Sequence, residues 1–371
     1  MFNLALKTFL LLSPVFFFRD YQLSLARGMF LVFGSFALFA ISLAREPKRK
    51  FNQPWMALFL LGAFIAMFRE NSLSSVQEWF NFWLSSAGFI YVFCGVLLFY
   101  TVYCHADNIK SYLLPITIVC ILNFILTIAQ ITGHDFMFRH TPSICGFMET
   151  SSQLGQYSAM TLPMMAFFSP WLAIIPWFTL YVSNSISSIM ALSIGIIFWS
   201  WQTKLKWTML LLIIPLLISC FNYRAILQKW QCRPVMWEKT LRAVTQRPYI
   251  GWGYRSFTEA VVQPGAKASI GGVEYSRPHN DYLHTAQELG IPVVIFIGGF
   301  FGMLWKKFRA RQNKDRLTYI LAASALIALI NMSGQTFIRY ASVAGTFIIL
   351  LAFLAIKIEG GKDAYTITVK E

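Results

Sequence analysis

Apolar runs of roughly 16–22 residues recur along the whole chain, which is the length a helix needs to cross a bilayer. Short polar stretches separate them, and the pattern therefore predicts an all-α polytopic membrane protein with about 12 transmembrane helices. The predicted spans are 4–18, 28–44, 53–68, 83–104, 111–132, 153–168, 171–184, 186–201, 207–222, 288–305, 317–335 and 341–357. The tight connections at 169–170 and 185 leave counts of ten or eleven open.

Clusters of lysine and arginine predict how the chain is oriented. They follow the second, eighth and tenth spans, at residues 45–50, 204–206 and 306–316. With 12 spans, all three clusters and both termini fall on the same side. Short loops rich in Lys and Arg are typical of the cytoplasmic side, so that side is predicted to be the cytoplasm.

The composition excludes a soluble globular domain. Hydrophobic residues make up 57% of the chain and charged residues only 13%, whereas soluble domains carry about 25% charged residues. The net charge of +15 does not indicate nucleic-acid binding, because topology alone concentrates Lys and Arg in cytoplasmic loops.

One polar segment, residues 224–287, is predicted to lie on the opposite, periplasmic side. It divides the chain into a bundle of about nine spans (1–223), this loop, and a part with about three spans and a cytoplasmic tail (288–371). Its basic residues outnumber its acidic ones, and they are Arg224, Lys229, Arg233, Lys239, Arg242, Arg247, Arg255, Lys267 and Arg277. The loop is either merely solvated or an electropositive cup for a phosphate-bearing substrate.

Within this loop, residues 234–246 are predicted to form an amphipathic helix along the membrane surface. Pro234 suits a first helical turn, and Trp237, Leu241 and Val244 recur at helical spacing to form one apolar stripe facing inward. Arg233 then lies at the helix N-terminus, where backbone amides and the helix dipole also favour an anion.

The loop resembles the O-antigen ligase and polymerase superfamily in four motifs that occur in the same order. They are Arg233-Pro-Val-Met-Trp237, then Arg247-Pro248 with Gly251-Trp-Gly253 and Phe257, then His279-Asn280-Asp281-Tyr282-Leu283, then Glu288-Leu289-Gly290-Ile291. A weaker match runs from Cys145-Gly146-Phe147-Met148 to Gln153-Leu154-Gly155. The specific match covers about a fifth of the chain, and only the span pattern supports the remainder.

The resemblance implies a GT-C-like glycosyltransferase of the bacterial inner membrane, with its active loop in the periplasm. It would transfer a glycan from undecaprenyl diphosphate to an acceptor hydroxyl, on lipid A-core for a ligase or on another glycan for a polymerase. The family usually carries a Ser-Arg pair at the start of a middle span. Residues 185–191 contain no arginine, so either Arg139 or a loop arginine is expected to replace it.

Arg233 and His279 are the predicted catalytic residues. An arginine neutralises charge on a departing diphosphate, and a histidine near its ordinary pKa can take the proton of an acceptor hydroxyl at neutral pH. Either Asn280 or Asp281 is expected to orient the His279 ring. The remaining predicted substrate-binding residues are Arg255, Arg277, Arg139, Asn280, Trp237 and Tyr282, with His284 and Glu149 as alternative bases.

No cofactor, metal ion or nucleic acid is expected. The chain has no Asp-x-Asp motif and few acidic residues, and it lacks a nucleotide-binding glycine loop. A transporter or flippase for an anionic lipid or sugar is the alternative from a different functional class. It is disfavoured because the spans show no inverted repeat and few ionisable groups. The sequence does not distinguish a ligase from a polymerase, and we prefer the ligase.

Overall fold

The computed structural model describes residues 1–15, 23–52, 54–67, 89–134, 144–148, 150–203, 232–254, 256–261, 269–270, 273–274 and 277–359. Within these residues the chain is helical, apart from one short antiparallel hairpin. In that hairpin β1 (Ser269–Ile270) pairs with β2 (Val273–Glu274), inside the predicted polar loop.

Fourteen α-helices lie in the described residues. They are α1 (Phe2–Val15), α2 (Leu23–Leu43), α3 (Pro54–Met67), α4 (Phe89–His105), α5 (Leu113–Ile131), α6 (Ser151–Phe168), α7 (Ile174–Ser183), α8 (Ile186–Thr203), α9 (Cys232–Gln246), α10 (Phe257–Val261), α11 (Asp281–Leu289), α12 (Ile291–Ala310), α13 (Arg316–Gly334) and α14 (Ala341–Glu359). A 3₁₀ turn, Ile109–Tyr112, leads into α5.

Every predicted span except the ninth overlaps one of these helices, and 207–222 lies outside the described residues. By length and apolar composition, three described helical segments can cross a membrane, namely 109–131, 291–310 and 316–334. Six further apolar helices are shorter. The chain is thus a helical membrane protein, and the number of spans stays a prediction.

The tight connection predicted near residue 185 separates two helices. Asn184 ends α7 with φ of 52°, in the left-handed region that asparagine tolerates better than most residues. The next helix, α8, begins two residues later. The runs 171–184 and 186–201 therefore form two helices and not one long helix.

Helix α13 lies at the centre and packs against α6, α8 and α14. Small residues allow this close packing, since a β-carbon on Gly195 of α8 would lie 2.3 Å from Ile327 of α13. Small side chains at helix contacts are how membrane helices gain dispersion contacts without a hydrophobic driving force.

Residues of two predicted basic clusters, 45–50 and 306–316, meet at one end of the bundle, where Tyr103 also contacts Glu359; the cluster at 204–206 lies outside the described residues. Arg49 donates two 3.0 Å hydrogen bonds to the carbonyls of Tyr103 and Ala106. Lys307 forms a 2.6 Å ion pair with Glu359. This grouping agrees with the placement of these loops on one side, and the cytoplasmic identity of that side stays a prediction.

The surface helix predicted at 234–246 is observed as α9, which begins two residues earlier. Its buried face differs from the predicted stripe: Met236, Thr240, Ala243 and Val244 are buried, whereas Leu241 is 49% exposed. Residues with small side chains let α9 pack closely on α11, and this contact rotates Leu241 outward. The prediction for Leu241 was wrong, because apolar character alone does not say which flank of a helix meets its neighbour.

Candidate functional site

Two of the sequence motifs form a single structural unit. The amides of Trp252 and Gly253 donate to the carbonyls of Gln287 and Glu288, at 2.8 and 2.9 Å. Gly251 has φ of 63°, and a β-carbon there would lie 2.3 Å from the Glu288 carbonyl oxygen. The backbones approach so closely that only glycine fits at Gly251. The glycine turn therefore fixes α11 against the loop that precedes it.

Arg233 lies in the first turn of α9, as predicted. Its guanidinium donates a hydrogen bond to the backbone carbonyl of Gly334, at the end of α13. A β-carbon on Gly334 would lie 3.2 Å from the β-carbon of Ser187 and 3.8 Å from Nη1 of Arg233. The guanidinium thus lies beside the first turn of α8.

This placement bears on the arginine that residues 185–191 lack. A loop arginine, Arg233, reaches the beginning of the middle helix α8, whose own residues there are serines. Arg139, the other candidate replacement, lies outside the described residues, as do Arg255 and Glu149. The choice between Arg139 and a loop arginine therefore stays a prediction.

His279 lies between α9 and α11, in the segment tied to α9 by Trp237. The indole Nε1 of Trp237 donates a 2.9 Å hydrogen bond to the carbonyl of Pro278. His279 itself has φ of 51°, a left-handed conformation uncommon for residues other than glycine. Such backbone strain clusters at functional sites, where the surrounding structure holds it.

The environment of His279 lowers the pKa of its imidazole to about 4. Burial is the largest cause, followed by the positive charges of Arg233 and Arg277, while a hydrogen bond to the Gln335 side chain raises the pKa. The imidazole is therefore neutral at pH 7 and able to accept a proton. The structure brings together both predicted catalytic side chains and Arg277, which also lies 5.6 Å from the Tyr340 ring centroid.

Asn280 and Asp281 contact backbone amides, and neither is the hydrogen-bond partner that the structure gives the His279 ring. Asn280 caps α11 by accepting a 3.0 Å hydrogen bond from the amide of Leu283. Asp281 accepts hydrogen bonds from the amides of Phe337 and Ile338, at 2.6 and 2.8 Å. The expectation that one of them orients the ring is corrected, because a helix start draws short polar side chains to backbone amides.

Tyr282 points toward α13, and its hydroxyl donates a 2.9 Å hydrogen bond to the carbonyl of Leu329. The side chain packs against the apolar core. With Trp237, it holds the loop onto the bundle. Their contact with a substrate stays a prediction.

A buried network lies beneath His279. His284 lies 3.1 Å from one carboxylate oxygen of Glu288, and Arg339 forms an ion pair with the other. Glu288 is completely buried, so its carboxylate needs the ion pair with Arg339 and the contact with His284. Burial first, and then the charge of Arg339, lower the pKa of His284, while the neighbouring Glu288 opposes them.

Sequence reasoning missed Gln335 and Arg339, which lie in the connection between α13 and α14. A signal for Arg339 was present, since a glutamate entering a membrane helix needs a cation, and Arg339 is the only ionisable residue of residues 334–339. Arg27 was also given no role. It is buried in α2, and its guanidinium donates to the carbonyl of Phe147, in the weaker match that begins at Cys145.

Replacing Glu288 with glutamine is expected to destabilise the protein by about 3–5 kcal/mol, because it leaves the buried Arg339 charge uncompensated. The measurement is the free energy of unfolding in detergent. The matched control is Glu238→Gln, which removes the exposed Arg242 ion pair of α9 and is expected to cost about 1 kcal/mol or less. Equal effects of the two substitutions would contradict a structural role for the Glu288 network.

Residues 171–298 match the family model described as O-antigen ligase. This part of the chain is therefore similar to the O-antigen ligase family. The match spans 128 of the 371 residues, from just before α7 into α12, and it contains Arg233, Arg277 and His279. No curated protein matches the chain significantly.

Some of the site residues lie inside the matched range and others lie beyond it. The O-antigen ligase segment supplies the arginines and the histidine, whereas Gln335 and Arg339 come from a later connection beyond the matched residues. No group of three or more His, Cys, Asp or Glu side chains lies close enough to hold a metal ion in the parts of the chain described above.

Proposed function

We propose that this O-antigen ligase-like protein transfers a glycan from undecaprenyl diphosphate to an acceptor hydroxyl at the periplasmic face of the bacterial inner membrane. The observation that supports this most is that residues 171–298, which match the O-antigen ligase model, contain Arg233, Arg277 and His279. Two permanent cations beside a neutral imidazole suit a reaction that expels an anion and accepts a proton.

In the proposed reaction, the acceptor oxygen attacks the anomeric carbon of the glycan. The bond from that carbon to the diphosphate oxygen breaks, and the diphosphate leaves with the electron pair. His279 takes the acceptor proton, and Arg233 neutralises the charge that develops on the departing oxygen. Each charge-assisted hydrogen bond contributes about 1.5–3 kcal/mol.

Donor binding would also prepare the base. In the free protein, burial and the two arginines keep the pKa of His279 low, which makes the imidazole a weak base. A bound diphosphate brings negative charge beside the ring and offsets the field of the arginines. The pKa would then rise toward neutrality, where general-base catalysis is most effective.

A short part of the donor's isoprenoid chain would lie in an apolar cavity of about 140 Å³ between α3, α4, α12 and α14. Ile338 lines this cavity, and its amide also binds Asp281, so the cavity adjoins the segment that contacts His279. Apolar cavities of this kind stay free of water and accept apolar groups.

Filling this cavity by Gly95→Leu is expected to raise the KM for the long-chain donor several-fold and leave kcat nearly unchanged. Gly95 lines the cavity, whereas Gly302 of α12 is exposed and has open space beside it, so Gly302→Leu is the control. The measurement compares donors with long and short isoprenoid chains. An equal KM increase for both donors would exclude this cavity as the chain-binding site.

Ligation to lipid A-core is the acceptor reaction we favour, from the loop motif in which one histidine, His279, precedes Asn280-Asp281-Tyr282-Leu283. Deleting the gene and separating lipopolysaccharide by size tests this choice. Loss of all long chains on the core supports ligation, whereas core carrying a single repeat indicates polymerisation.

A transporter or flippase is the competing functional class. Purified protein in detergent, without any gradient and with EDTA present, is expected to convert donor and acceptor into product. Translocation of the lipid without product formation would support the transporter instead, and EDTA inhibition would contradict the metal-free chemistry.

A further inference from the structure

Three segments far apart in the chain are joined by hydrogen bonds into a closed ring that includes His279. The first contact lies between α9 and the segment before α11, where Trp237 Nε1 donates a 2.9 Å hydrogen bond to the carbonyl of Pro278. The second lies between α9 and the end of α13, where Arg233 donates to the carbonyl of Gly334. Arg233 and Trp237 are about one helical turn apart, so α9 supplies two corners of the ring.

Asp281, the first residue of α11, supplies the contact that closes the ring. One of its carboxylate oxygens, Oδ2, accepts hydrogen bonds from the amides of Phe337 and Ile338, at 2.6 and 2.8 Å. Pro278 lies only three residues before Asp281, and Gly334 lies only three residues before Phe337. Each side of the ring is therefore short. We call this set of segments the site ring, and its sides are residues 233–237, 278–281 and 334–338.

The side formed by residues 334–338 is also attached to two membrane helices. The side-chain amide of Gln156 in α6 donates a 3.3 Å hydrogen bond to the carbonyl of Thr336. The hydroxyl of Tyr91 in α4 donates a 3.1 Å hydrogen bond to the carbonyl of Ile338. This side therefore joins the site ring to the helical bundle, and the other two sides depend on it for their position.

We propose that Asp281 is a positioning residue for the transfer reaction, which holds Arg233 and His279 in a fixed arrangement by closing the site ring. The two residues lie on different sides of the ring and are 46 positions apart in the sequence, so only tertiary contacts set their separation. Groups that act together on one substrate must keep their geometry within about 0.5 Å. This inference rests on the proposed function for its catalytic consequence.

A carboxylate suits position 281 because a single oxygen accepts from two successive amides. Charge-assisted hydrogen bonds are shorter and roughly twice as strong as neutral ones. Asp281 is buried, and burial of a carboxylate is costly unless it is hydrogen-bonded. Asparagine keeps an oxygen that can accept from both amides but lacks the charge, whereas alanine removes the acceptor. The two substitutions therefore separate the hydrogen bonds from the charge.

Hydrogen–deuterium exchange of the full-length protein in detergent tests whether Asp281 closes the ring. Asp281→Ala is expected to speed exchange of the Phe337 and Ile338 amides about ten-fold or more, and Asp281→Asn about two- to five-fold, because an amide exchanges only when its hydrogen bond opens. The control is Asp315→Ala, which removes the cap at the opposite end of α13 and is expected to leave both amides unchanged. Unchanged exchange in both Asp281 variants would overturn the proposal, and the asparagine variant suffices if the alanine variant does not fold.

Steady-state kinetics of the same variants test whether Asp281 acts through Arg233. Asp281→Ala is expected to lower kcat/KM about 10–100-fold, as small displacements of positioned groups do, and Asp281→Asn is expected to restore most of it. In an Arg233→Met background, Asp281→Ala is expected to cost less than about three-fold more, because coupled residues have non-additive effects. A residue that only stabilises the fold would lower activity equally in both backgrounds, and such multiplying losses would overturn the proposal.

The two readouts also distinguish this proposal from the proposed function. Faster exchange in Asp281→Ala, together with a wild-type protein that transfers no glycan, would support the site ring and reject the transfer reaction. Active wild-type protein with unchanged exchange in both variants would support the transfer reaction and reject the role of Asp281.

Discussion

Replacing His279 with asparagine is expected to lower the rate of glycan transfer by about 10²–10⁴-fold, the usual contribution of a general base. Asparagine is the substitution of choice because His279 has φ of 51°, a conformation that asparagine adopts at little cost. The loss can then be assigned to the missing imidazole and not to a change of the backbone. The measurement is product formation from a polyprenyl diphosphate donor at several pH values.

His134 provides the matched control for this experiment, because it is exposed at the end of the α5 segment. His134→Asn is expected to keep the wild-type rate. Thermal unfolding of all three proteins in detergent should give similar transitions. Normal transfer by His279→Asn would show that another group, such as His284 or Glu149, takes the proton.

Replacing Arg233 with methionine is expected to lower kcat/KM by about 10²–10³-fold, as when a single donor to a developing oxyanion is removed. Methionine keeps much of the apolar stem while it removes the guanidinium. Because the charge lies beside the first turn of α8, where this chain has serines, no arginine of that turn can compensate. Steady-state kinetics with varied donor concentration measures the loss.

Arg242 on the same helix is the matched control. It is exposed and paired with Glu238 one turn earlier, and Arg242→Met is expected to keep kcat/KM within about two-fold. The Arg233→Lys variant, which retains a charge without the planar fork, is expected to show an intermediate loss. Equal activity of Arg233→Met and Arg242→Met would remove Arg233 from the mechanism.

The helical character of the chain could be predicted because membrane spans are encoded locally. A run such as 317–335 is apolar enough to cross a bilayer whatever its neighbours are, and the structure has α13 there. Backbone N–H and C=O groups in lipid must form hydrogen bonds within their own segment. A long apolar run that crosses the bilayer is therefore expected to be a helix. The single run predicted at 288–305 instead meets a break at Gly290, whose φ is 90°.

Predictions that depended on packing were less accurate. The stripe on α9 was assigned to Trp237, Leu241 and Val244. Val244 is buried as predicted, but Leu241 is exposed, and Met236, Thr240 and Ala243 are buried instead. Periodicity indicates that a helix has a buried face, but the shape of α11 decides which residues fit against it. The orientation of His279 was likewise assigned to its chain neighbours, whereas Asn280 and Asp281 bind backbone amides.

The sequence by itself determined the all-helical membrane architecture, the order of the motifs, and the residue types able to bind an anion and accept a proton. These depend on hydrophobic length and side-chain chemistry, which each residue carries wherever it lies. Only the tertiary structure decided that Arg233 reaches the start of α8, that Glu288 pairs with Arg339, and that Asp281 binds the connection between α13 and α14. Such contacts join residues far apart in the chain, and their energies exist only once helix packing has brought the side chains together.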